Sequence, residues 1–141
     1  LILDNTHPNK KQKQIVRDLI GKPFSFFETI KLGRVVSKQM LIEEASPNLQ
    51  HYLNIDSNVN YATIQLRSDG ILIDINKNSR RFTWIIPYYQ LVIYKTNGTS
   101  IHAQGKYIHL KNDSIFKKHK DFFDTLFNRK VKYDERFNFQ F

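Results

Sequence analysis

The residues whose spacing most directly suggests chemistry are His102 and His109, on two segments, Ser100 to Gln104 and Tyr107 to Lys111, that alternate polar and apolar positions around Gly105-Lys106. A type II′ turn wants Gly at its first central position, and a turn at Gly105-Lys106 places the two imidazoles directly opposite each other. Opposed strand positions hold Cβ atoms about 4.5–5.5 Å apart, close enough to share a transition metal or to repel when protonated at about pH 6. A metal needs further ligands, and only Gln104, Tyr107 or a remote carboxylate is at hand. The expectation is therefore a His pair without a metal. His119 falls on the apolar stripe of a helix, where a hydrogen-bonded core or boundary histidine is expected rather than a catalyst. Asp121 and Asp124 each follow a lysine by four residues, which describes a solvated helix face better than a catalytic carboxylate pair. There is no cysteine, and no P-loop, G-x-G-x-x-G, H-E-x-x-H or G-x-S-x-G motif. The sequence thus argues against an enzyme and implies no cofactor.

Two surfaces remain for binding. Lys77, Arg80 and Arg81 form the one compact basic group of the middle segment and, with the isolated Arg67 as a further candidate, offer an anion site. Tyr88, Tyr89 and Tyr94 lie near enough in sequence to provide stacking platforms beside it, the pairing used by single-strand binders. The other surface is the tail, where Phe137, Phe139 and Phe141 alternate with Asn138 and Gln140. That pattern predicts a strand with one apolar edge, able to add to this sheet or to a second copy's.

The positive charge is unevenly distributed along the chain. The 141 residues carry 22 Lys and Arg against 13 Asp and Glu, a net +9. Over half of the excess falls on residues 61–112, where seven basic residues face two acidic ones. Lysine outnumbers arginine, which weakens a case for bidentate phosphate recognition. Nucleic acid is thus the alternative partner rather than the first.

The elements that must position these residues are read from periodicity. Tyr61 to Arg67 and Gly70 to Asn76 alternate with period two, and Asp69-Gly70 between them predicts a type I′ hairpin with Leu66 opposite Ile73 and Ile64 opposite Ile75. Phe82 to Ile86 makes a third strand ended by Pro87, and Tyr89 to Lys95 a fourth. After Asn97-Gly98 the register stays open: a two-residue turn aligns Tyr94 with Ile101, and a three-residue turn with a bulge aligns Ile93 instead. From Ile115 to Phe127 the period becomes 3.6 and predicts an amphipathic helix capped by Asp113 or Ser114. In residues 1–60, Lys10 to Ile20 predicts a helix ended by Gly21 and Ser46-Pro47 starts a short one. Between them, Phe24 to Ile42 follows neither period. The longest uncharged stretch, Phe82 to Tyr94, contains a proline and is too short to span a bilayer.

A run of antiparallel hairpins closed by one amphipathic helix, with Arg81-Phe82-Thr83-Trp84-Ile85-Ile86-Pro87-Tyr88-Tyr89-Gln90-Leu91 leading into the central strand, resembles the bacterial pleckstrin-homology-like domains over residues 61–129. The resemblance implies a strongly bent sheet plugged by the last helix, and a protein-interaction or oligomerisation role. Phosphoinositide-binding members of the wider superfamily use a long basic loop between their first two strands. If the Ser68-Asp69-Gly70 hairpin is the equivalent one, that site is lost.

The expectation is a single α+β domain, 1–141: a helical or mixed N-terminal part (1–60), about six antiparallel strands (61–112), a capping helix (113–129) and a tail (130–141). It is read as a cytoplasmic, non-catalytic interaction or scaffolding module that binds a protein partner or itself, with an anion or single-stranded nucleic-acid binder as the alternative.

Overall fold

The structure, a computed structural model, describes residues 1–137. Its centre is the hairpin pair the alternation predicts. Strands β3 (Tyr61–Leu66), β4 (Gly70–Lys77) and β5 (Arg80–Pro87) run antiparallel. Ile64 and Leu66 share a buried face with Ile71, Ile73, Ile75, Trp84 and Ile86. The register differs from expectation, with Ile64 opposite Ile73 and Leu66 opposite Ile71. The Arg67 N–H donates to the Gly70 carbonyl, so the turn is Ser68-Asp69 and Gly70 already belongs to the strand. A shift by two keeps every side chain on its predicted face.

Eight strands form one open antiparallel sheet in the order β1-β5-β4-β3-β2-β8-β7-β6, where about six were expected. The additional pair comes from the N-terminal part. β1 (Ile2–Asp4) lines the free edge of β5, and β2 (Met40–Ala45) joins the two halves of the sheet. Met40 and Leu41 pair with β3, the following residues pair with β8 (Lys106–Lys111), and a bulge between Ile42 and Glu44 turns the corner. β6 (Val92–Tyr94) aligns Ile93 with Ile101 of β7 (Gly98–Ala103), the three-residue alternative.

The bent sheet wraps a core that α4 (Lys120–Phe137) plugs with Phe122, Phe123 and Leu126. The predicted single helix is broken: α3 (Ser114–Lys117), capped by Asp113, ends one turn before α4 begins. His119 sits at the break, nearly buried, donating from Nδ1 to the Ile115 carbonyl and accepting from the Lys38 N–H. The role expected of it, a core histidine, is the one it plays. α4 also extends past the expected end at 129 to Phe137, so residues 130–137 are helical rather than a tail. Phe137 is the last residue of α4 and starts no strand; Phe139 and Phe141, the rest of the expected alternating edge, lie outside the described residues.

A second layer covers the sheet's other face. α1 (Lys10–Ile20) is capped by a reciprocal Asn9–Gln12 box and stopped by Gly21 at φ 90°. It buries Val16 and Ile20 on Leu72 and Ile85, the outward residues of β4 and β5. Those two strands are therefore buried on both faces, which is why apolar residues break their alternation. No helix among the described residues is long and apolar enough to cross a membrane.

Candidate functional site

The two histidines do not face each other. Gln104 and Gly105 occupy the β7–β8 turn, both at positive φ (57° and 75°), so the turn starts one residue earlier than a Gly105-Lys106 turn would. His102 then opposes Tyr107, and His109 opposes Ser100. Each imidazole has its own surroundings. His102 lies between the rings of Tyr94 and Tyr107, centroids 4.9 and 5.1 Å away. His109 meets Ser100 Oγ at 2.5 Å through Nδ1 and the Asn97 carbonyl at 3.0 Å through Nε2. No group of three His, Cys, Asp or Glu among the described residues is placed to hold a metal.

The basic loop is divided by its own pleat. Lys77 and Arg80 flank the Asn78-Ser79 turn and are engaged locally, Lys77 Nζ donating to the His51 carbonyl at 2.8 Å and Arg80 pairing with Asp4 at 3.2 Å. Arg81 projects instead from the outer sheet face beside Thr83 and Asp74. There it joins Arg67, and α1 contributes Lys13 and Arg17, to line a groove of about 420 Å³ walled by Pro8 and Pro23. Arg67 is the floor. It is only 8% exposed, with Nη1 donating to the Gly21 carbonyl at 2.7 Å and Nη2 reaching Gln65 Oε1 at 3.4 Å. Its Nε is buried without a partner among the described residues. Burial lowers its basicity, Arg17 lowers it further, and Asp74 opposes both.

Asp74 is the only carboxylate among the groove-lining residues. Burial pushes its pKa above the ordinary aspartate value, against the Thr83 hydroxyl, which donates to it at 2.5 Å, and the charges of Arg81 and Arg67. The folded protein therefore holds this proton more tightly than the unfolded chain. Stability from this site is greatest below the unfolded pKa and declines as pH rises through the folded one. Asp74→Asn, which keeps an oxygen to accept from Thr83, is expected to raise the melting temperature at pH 7 and to remove that decline. Melting curves of both proteins from pH 3 to about 8 measure it.

Of the three tyrosines offered as a stacking surface, Tyr88 is not on the surface. It is 1% exposed, its hydroxyl donates to the Arg67 carbonyl at 3.2 Å, and its ring lies 5.7 Å from that of Tyr133. Pro87 ends β5 in a 3-10 turn, Tyr88–Gln90, that rotates the first tyrosine into the core and leaves Tyr89 exposed, while Tyr94 is exposed from β6.

One surface went unread in the sequence. α2 (Phe26–Leu32) is closed by a Ser25–Glu28 capping box and by Gly33, and none of its residues is buried. Phe26, Phe27 and Ile30 are 75%, 76% and 64% exposed. The cap signature, Ser25-x-x-Glu28 followed by Gly33, is the signal that locates this helix. Lys13 and Arg17 were likewise missed as site residues, because their proximity to Arg67 exists only once α1 docks. No protein-family model matches the chain, and no curated protein or solved structure matches it either.

Proposed function

We propose that the chain is a non-catalytic interaction module that associates with a second copy of itself through α2. The observation that carries this reading is the exposure of Phe26, Phe27 and Ile30 on one face of a helix that adds nothing to the core. Monomers rarely leave such side chains clustered in water. A fully buried Phe or Ile side chain gains about 1.5–3 kcal/mol; with part of each already covered, two copies gain roughly 6–13 kcal/mol. Association costs about 4–15 kcal/mol in lost freedom, the same magnitude as the gain, so the dimer proposed is at most weak and reversible. Kinship with the pleckstrin-homology-like domains belongs to the same reading. It is supported by the order β5-β4-β3-β2-β8-β7-β6 with a C-terminal helix plugging the bend. In that alignment the first loop is 46–60, which contains no Lys or Arg.

Sedimentation equilibrium should show a mass that rises with concentration at both low and high salt. Phe26→Ser with Phe27→Ser should keep the protein folded and monomeric throughout. A wild-type protein that stays monomeric to about millimolar concentration would sink the reading.

A further inference from the structure

We propose that the groove between α1 and the outer face of β3–β5 binds a small organic phosphate as its phosphomonoester dianion, held by Lys13, Arg17 and Arg81 over the buried Arg67. The site is independent of α2 and of any dimer.

Charge carries the first part of the argument. Four cations and one carboxylate line the groove, and neither Lys13, Arg17, Arg67 nor Arg81 forms an ion pair among the described residues. Like charges held together around one cavity repel, and the guanidinium of Arg67, a residue only 8% exposed, has given up part of its hydration. Arg67 in particular has an unpartnered buried Nε and no carboxylate bonded to its fork. An anion seated above it supplies the missing countercharge. Arginine forks at Arg17 and Arg81 suit the tetrahedral oxygens of a phosphate, with Lys13 as a point charge.

Shape and composition select an organic phosphate. A volume of about 420 Å³ exceeds what a bare phosphate fills and lies within the range of small-ligand sites. Pro8, Pro23, Val16 and Leu72 provide apolar walls for the carbon portion. Asp74 lies on the same floor, where it can accept from a ligand hydroxyl and disfavours added negative charge. A terminal phosphate carries two charges where an internal phosphodiester carries one, so this local excess of positive charge favours a phosphomonoester over a nucleic-acid backbone.

The test is calorimetric titration at constant ionic strength with glycerol phosphate, inorganic phosphate and an oligonucleotide lacking terminal phosphates. Saturable binding of glycerol phosphate, tighter than inorganic phosphate and than the oligonucleotide per site, is expected. Arg17→Ala, at an exposed position, should weaken it about tenfold or more. Arg80→Ala removes the same charge outside the groove and should leave the affinity unchanged, whereas Asp74→Asn should tighten it. No saturable binding of glycerol phosphate up to tens of millimolar would overturn the proposal. So would equal losses from Arg17→Ala and Arg80→Ala, or a preference for the oligonucleotide.

Discussion

Replacing Trp84 by alanine is expected to destabilise the protein by about 3–5 kcal/mol, with Trp84→Phe costing less, about 1–3 kcal/mol. Trp84 is 1% exposed, stands opposite Ile73 on β4 and Ile2 on β1, and belongs to the main core. Its truncation leaves a void among strands that are hydrogen-bonded on both sides and so cannot collapse inward. The indole also has a polar role. Its N–H donates to Gln104 Oε1 at 3.1 Å, and Gln104 Nε2 donates to the Ile85 carbonyl at 3.1 Å and to Gln90 Oε1 at 2.7 Å. The sheet is open, and β5 and the β7–β8 turn are not neighbours in its strand order. Trp84 and Gln104 are therefore a side-chain tie between the two halves of the bend, where no backbone ladder exists.

The alanine and phenylalanine variants separate these contributions. Alanine loses volume and tie together, while phenylalanine keeps most of the volume and loses the indole donor. Gln104 is at φ 57°, a region that glycine adopts without strain. Gln104→Gly relieves that backbone and removes these three side-chain bonds together with the one that Gln104 Oε1 accepts from the Leu1 amino group. A net destabilisation in urea shows that the tie outweighs the strain, and a gain in stability would mean that it does not. If Trp84→Phe proves as costly as Trp84→Ala, the polar tie rather than the packing dominates.

How far the fold could be read depended on what each glycine is for. Alternation placed Ile64, Leu66, Ile71, Ile73 and Ile75 on one face, and they share the core. The turn residues misled in two of the three tight hairpins. Asp69-Gly70 has the appearance of a type I′ turn, yet Gly70 is at negative φ, and the turn is formed one residue earlier. In the β7–β8 hairpin a glutamine takes the left-handed position that sequence reserves for glycine, which separated His102 from His109. α2 was invisible to periodicity because a seven-residue helix that buries nothing has no apolar stripe directed at the core. The groove was half legible. Charge alone points to Arg67 and Arg81, but it points equally to Lys77 and Arg80, because a run in sequence hides the pleat. Lys13 and Arg17 joined only through helix-to-sheet docking, a contact that carries no local signal.

That docking depends on one missing methyl group. Gly70→Ala is expected to cost about 3 kcal/mol, at the upper end of what overpacking does in a core. A Cβ at this position would lie 2.4 Å from the Ile86 carbonyl oxygen, 2.6 Å from Ile20 Cγ2 and 2.8 Å from Pro87 Cα. Two of these are backbone atoms of the paired strand and cannot yield without breaking the β4–β5 ladder. Ile20 Cγ2 is the side-chain contact that can yield, and a shift of the last turn of α1 that relieves it carries Arg17 away from Arg67. The variant should therefore lose stability and phosphate affinity together, and hydrogen exchange should quicken first in α1. Gly105→Ala is the contrast. It meets nothing within 4 Å and suffers only its positive φ, about 1 kcal/mol, with the groove intact. Ile20→Ala removes the Cγ2 atom from the clash. Gly70→Ala combined with Ile20→Ala should accordingly be less unstable than the two single losses added, by about 1 kcal/mol. Strict additivity would place the whole clash on the β5 backbone and leave α1 where it is.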